Sequence, residues 1–150
     1  LLVAGTGSIV YQNGTDSLNK NYTSRTALSY LVEKLRQHDH TDGISIRELD
    51  GIPSLALYEE QNGTHYCTYL YFYDGALREL FTQASNVPSA DMGTVIAELS
   101  GFTFSVESTP GGSESVLLIT VTDTEGRDNT ARIHLSAAAL SITEIIFKEH

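Results

Sequence analysis

The chain has 150 residues, enough for about one domain, and its 41% hydrophobic content can fill a single core. Nine Lys and Arg stand against 19 Asp and Glu, a formal charge of −10, which argues against nucleic-acid phosphate or an anionic membrane surface as the partner. The lone Cys67 excludes a disulfide-stapled miniprotein, and no run is apolar enough to span a bilayer.

Leu1–Ala4 reads either as the last turn of an upstream apolar helix or as an ordinary strand end. Residues 1–15 read as a remnant and linker, polar at Gln12-Asn13-Gly14-Thr15, and Asp16 or Ser17 can cap a helix that runs from about Leu18 to Gln37. Leu28, Leu31, Val32 and Leu35 fall at i, i+3, i+4 and i+7, and Leu18 and Tyr22 carry the same stripe backwards. His38 to Gly43 ends the helix, with Gly43 suited to a positive φ.

After Gly43 the period falls from 3.6 to 2. Short runs around Ile44–Leu49 and Leu55–Tyr58 precede Asn62-Gly63, a strong hairpin signal. His65 to Tyr73 is apolar or aromatic on both faces, as expected of a strand inside its sheet. Asp74-Gly75 is a second hairpin signal, and Ala76–Phe81 returns from it. Residues 83–98 break the pattern, with a loop at 86–91 and a short helical turn expected over Thr94–Leu99. Alternating runs at Phe102–Glu107, Leu117–Val121 and Ala131–Leu135 follow, and the tail from Ala137 to His150 fits a strand or a short helix.

One long helix followed by six to eight antiparallel strands predicts a single α+β domain over 16–150. Its N-terminal amphipathic helix lies across one face of an antiparallel sheet.

Chemistry-bearing patterns are sparse. His38, Asp39, His40 and Asp42 are close in sequence, but the pair of histidines sits in a helix-ending turn, so a solvated loop is expected rather than a metal site. Asp123–Asp128 shares only acidity with a calcium loop and reads as a hairpin turn. Cys67, His65 and His134 lie in strand-like runs with no partner arrangement for nucleophilic catalysis, and Gly5-Thr6-Gly7 lacks the third glycine of a dinucleotide loop. Neither catalytic, cofactor-binding nor metal residues are expected. Asn13, Asn21 and Asn62 each begin an Asn-x-Thr glycosylation pattern, which is short enough to arise by chance. The Tyr66–Tyr73 strand is the chemical oddity. Tyr69, Tyr71 and Tyr73 share one face and are the candidate interaction surface for a sugar or peptide, against the plainer reading of cross-strand packing under the helix or under the tail.

The order of elements resembles the extracytoplasmic domain of type IV pilin-like proteins, minor pseudopilins and competence-type minor pilins of the J class in particular. The resemblance rests on the helix Tyr22–Gln37, on Tyr71-Phe72-Tyr73-Asp74-Gly75-Ala76-Leu77-Arg78-Glu79, and on Leu99–Val106 followed by the 116–135 hairpin. It covers about residues 15–136, as a string of elements more than letter by letter. It implies a non-catalytic structural subunit for filament assembly, secretion or DNA uptake. Leu1–Ala4 would be the remnant of a membrane helix, other pilin-like subunits or exported cargo the partners, and an anchored extracytoplasmic head the location. The rivals are a carbohydrate- or ligand-binding module using the tyrosine face and a small cone-shaped ligand-binding or enzyme domain.

Overall fold

The computed structural model describes residues 16–108, 111 and 114–142, with side chains over 23–107, 111 and 114–141. One helix, α1 (Asp16–Gln37), precedes nine strands: β1 (Ile44–Leu49), β2 (Ile52–Gln61), β3 (Thr64–Tyr73), β4 (Ala76–Gln83), β5 (Thr94–Glu98), β6 (Gly101–Ser108), β7 (Glu114–Thr122), β8 (Asp128–Ser136) and β9 (Leu140–Ile142). Strands make up 58% of the residues whose side chains are described, and the described residues hold a single helix. This corrects the α+β expectation of a long helix laid on one antiparallel sheet.

Two sheets form, not one. The larger has the order β5-β4-β3-β2-β1-β9, the smaller β6-β7-β8. The larger sheet is not wholly antiparallel, because β9 joins β1 in parallel. The physical reason for the correction lies in β6–β8. Phe102, Phe104 and Val106 align with Val121, Ile119 and Leu117, and Leu117 with Ile133, so the middle of one face of a three-stranded sheet is apolar. That face needs a cover, and it meets the larger sheet and the helix in one core. The core joins Ala27, Leu31 and Leu35 of α1 with Ile44, Leu55, Leu57, Leu70 and Leu77 of the larger sheet and Leu117, Ile119 and Ile133 of the smaller. A periodicity count finds the helix but cannot say how the remaining chain divides into sheets.

Three tight hairpins build β1 to β4. Asp50-Gly51, Asn62-Gly63 and Asp74-Gly75 each place two consecutive residues at positive φ, between +52° and +82°. That is the type I′ geometry that suits the twist of paired strands. The first of these turns has the same chemistry as the other two and was not singled out from the sequence.

Local expectations fare unevenly. Leu31 and Leu35 are buried and Leu28 and Val32 partly so, while Ala27 and Ser24 complete the buried stripe. The expectations at Leu18 and Tyr22, and the capping at Asp16 or Ser17, fall on side chains outside the described ones. At the helix end Asp42, not Gly43, takes positive φ. Gly43 is required for space, since a Cβ there would collide with the His38 carbonyl oxygen. The helical turn expected at Thr94–Leu99 is strand β5, and the helical turn lies earlier, a 3₁₀ turn at Ala90–Met92. Short apolar runs of this kind fit either period. The tail turns at 137–139 and is a strand at Leu140–Ile142, and residues 143–150 lie outside the described residues.

Candidate functional site

The tyrosine strand β3 sits between β2 and β4. Its alternate residues divide as a strand's must. Leu70 joins the main core, whereas Cys67, Tyr69 and Tyr71 belong to a second apolar cluster with Leu49, Ala56, Leu80 and Ala90, and Tyr73 packs at its margin. Cross-strand neighbours fill the layer: Ala56 and Leu80 flank Tyr69, Ser54 and Arg78 flank Tyr71, and Tyr58 and Thr82 flank Cys67.

The loop from 84 to 93 closes over this layer. Asn86 Nδ2 donates to Thr82 Oγ1 at 2.8 Å, and Pro88 is buried. The Ala90 N–H donates to Asp50 Oδ2 at 3.0 Å, tying the loop to the β1–β2 turn. Tyr71 Oη–H donates to the Ala90 carbonyl at 2.7 Å. Arg78 completes the tie: its Nε donates to the Tyr73 carbonyl at 3.1 Å, its Nη1 to the Gly93 carbonyl at 3.3 Å, and its guanidinium lies 5.4 Å from the Tyr73 ring centre. Gly93 must be glycine, because a Cβ there would run into the Tyr71 hydroxyl.

The three candidate residues therefore share a face as the strand period requires, but Tyr69 is 5% exposed and Tyr71 is wholly buried. Only Tyr73 reaches intermediate exposure. They build a second small core beneath a loop, the packing alternative, with the loop as the cover. The electrostatics agree. Burial pushes the Tyr69 phenol up to about 12 and the Cys67 thiol up to about 11, and it raises Tyr71 as well. Arg47, held charged by donating Nη1 to Tyr58 Oη at 2.8 Å, caps the exposed side. A neutral phenol and a neutral thiol under a loop make a packing layer with no activated nucleophile.

The other sequence candidates are engaged in structure. His38 is buried, with Nδ1 2.8 Å from the Lys34 carbonyl and Nε2 3.5 Å from Glu59. Asp39 accepts both the N–H and the hydroxyl of Ser136 at 3.1 and 3.0 Å. The His38–Gly43 turn thus pins the helix end to β2 and β8. Among the described residues no group of three or more His, Cys, Asp and Glu is placed to hold a metal ion. In the Asp123–Asp128 turn, Asp123 Oδ1 accepts the N–H groups of Glu125 and Arg127 at 2.8 and 2.9 Å, and Oδ2 meets Arg127 Nε at 2.9 Å. Burial alone would raise the Asp123 carboxyl. The two N–H donors and the guanidinium outweigh it and hold the group below the usual carboxylate range. His65 is exposed, and His134 Nδ1 lies 2.9 Å from Glu114 Oε1 on the open face of the smaller sheet.

Two features escaped the sequence reading. Tyr30 Oη donates to Glu79, which also meets Lys34 Nζ at 3.7 Å, fastening α1 to β4. Tyr66 and Phe81 stack near-parallel with ring centres 5.2 Å apart, and Phe81 is 54% exposed. Tyr66 has the opposite strand parity to Tyr69, Tyr71 and Tyr73, and that parity is the signal that separates it from the buried layer. A family model described as a domain of unknown function, DUF4860, matches residues 22–124. No curated protein and no solved structure matches the chain.

Proposed function

We propose that this chain, which belongs to the DUF4860 family, is a non-catalytic structural subunit. In this reading it is the extracytoplasmic head of a membrane-anchored protein, working in filament assembly, secretion or DNA uptake beside other pilin-like subunits or an exported cargo. The supporting observation is the fastening of α1. This helix precedes the described strands, and between Ser24 and Asp39 the helix and the turn that ends it are tied to both sheets. Asn129 of β8 donates to Ser24 at 2.8 Å, Glu79 of β4 holds Tyr30 and Lys34, Glu59 of β2 faces His38, and Ser136 of β8 donates to Asp39. A load entering along the helix is delivered to the sandwich at several points instead of peeling one end. That suits a head held by a single upstream rod.

The test is made on the full-length gene product in its native host, by cell fractionation, protease treatment of intact cells and chemical crosslinking. Recovery in the membrane fraction, digestion from outside and crosslinks to other envelope subunits are expected. Recovery in the cytosol, or turnover of a substrate by the isolated head, overturns the reading.

A second reading, a carbohydrate- or ligand-binding module, draws on the Tyr66–Phe81 pair, half-buried at Tyr66 and exposed at Phe81, and not on the covered tyrosines. A flat aromatic surface of this kind stacks on sugar rings. Titration with soluble oligosaccharides tests it, and binding that survives Phe81→Ala counts against it.

A further inference from the structure

The three asparagines whose side chains are described are not equivalent. Asn86 donates its amide to Thr82 Oγ1 and Asn129 to Ser24 Oγ, each at 2.8 Å. Asn62 is exposed at the β2–β3 turn and is the described asparagine followed by glycine. Gly63 carries no side chain to hinder ring closure, and nothing stands within 4 Å of the place a Cβ there would take. We propose that Asn62 is a site of spontaneous deamidation in the folded domain, gated by opening of the β2–β3 turn.

The chemistry needs only water. The Gly63 nitrogen attacks Cγ of Asn62 and loses its proton, a C–N bond forms, and ammonia leaves. Water then opens the cyclic imide at one of its two carbonyls and leaves aspartate or isoaspartate. The attack requires the Asn62 backbone to rotate so that the Gly63 nitrogen reaches Cγ. In the closed turn Asn62 is fixed at φ 53° and the Gln61–Thr64 pair shuts the loop. Ring closure therefore proceeds from the locally opened hairpin.

The same molecule shows what the product meets. Asp50-Gly51 and Asp74-Gly75 already occupy this turn with φ of 54° and 52° at the aspartate. An aspartate at 62 closes the hairpin as they do, and it adds one negative charge beside Glu59 and Glu60. An isoaspartate puts an additional methylene into the main chain, and the loop between Gln61 and Thr64 no longer holds the two-residue turn geometry.

The experiment incubates the 150-residue chain at mildly alkaline pH, in native buffer and in urea, and follows each asparagine by peptide mass mapping that separates aspartate from isoaspartate. Conversion at Asn62 before Asn86 and Asn129 is expected, slower in the folded chain than in urea by roughly tenfold or more. Asn62→Asp should melt as the wild type does, while the isoaspartate-bearing fraction melts lower. Earlier conversion at Asn86 or Asn129, equal rates in the two buffers, or a lower melting temperature for Asn62→Asp would overturn the proposal.

Discussion

Leu31→Ala is the sharpest probe of how this fold is held. Leu31 is fully buried and lies in the cluster where α1, the larger sheet and the smaller sheet meet. Truncation removes three carbons from a site walled on every side by elements that are themselves hydrogen-bonded, so little collapse can fill the space. Leu-to-Ala changes of this kind cost about 2–5 kcal/mol, lost transfer energy plus a cavity term. For a domain of about this size each kcal/mol lowers the midpoint by roughly 2–4 °C, so the melting temperature should fall by about 4–20 °C. Leu31→Asp should abolish the cooperative transition altogether, because a carboxylate cannot be paired there. The control is Glu33→Ala, two residues away on the exposed face, with an effect within about 0.5 kcal/mol. Thermal melts followed by circular dichroism decide the matter. If Leu31→Ala melts with Glu33→Ala, the helix is an ornament and the two-sheet core does not depend on it.

Other perturbations address the loop, the turn and the thiol. Tyr71→Phe leaves the buried Ala90 carbonyl without its donor and should cost about 1–3 kcal/mol by urea denaturation. Gly93→Ala alone should be more damaging, and combining it with Tyr71→Phe should recover part of that loss, an interaction visible in a double-mutant cycle. Asp123 carries a folded pKa below its unfolded value, so its contribution is full above the unfolded value and fades as pH falls through the folded one, below about pH 4. Melting temperatures taken down through that range should drop for the wild type and stay flatter for Asp123→Asn, which starts lower. Cys67, with its thiol raised to about 11, should resist an aromatic disulfide reagent at neutral pH until the domain is unfolded. Labelling at the rate of a free thiol would show that the layer under the loop is open.

The parts of the fold that were legible in the sequence are those written in local chemistry. The stripe through Leu31 and Leu35 specifies a helix at a period no strand can use. Asn62-Gly63 and Asp74-Gly75 specify turns because their residues tolerate positive φ. The two-faced apolar character of β3 correctly announces a strand with a neighbour on each side. Long-range facts were not legible. Nothing in the 102–135 runs says that they leave the first sheet and build a second. Thr94–Glu98 is too short to betray its period. The candidate face was right in its parity, Tyr69, Tyr71 and Tyr73 together, but its cover is the 84–93 loop and not the helix or the tail that the packing alternative expects. The covering loop has no periodicity, and its grip depends on Asp50, Arg78 and Gly93, which are far apart in sequence or separated by a turn.

The contact between Tyr71 and Gly93 bears on how the family can vary. A phenol is seated where only a hydrogen can face it, so the two positions are bound to change in concert. A member that acquires a methyl group at the position of Gly93 must surrender the hydroxyl, or the whole ring, at that of Tyr71. The loop would then lose its anchor at Ala90 and need another. Paired substitution at these two sites is the hereditary mark that a covered tyrosine layer, and not an open binding face, should leave among its relatives.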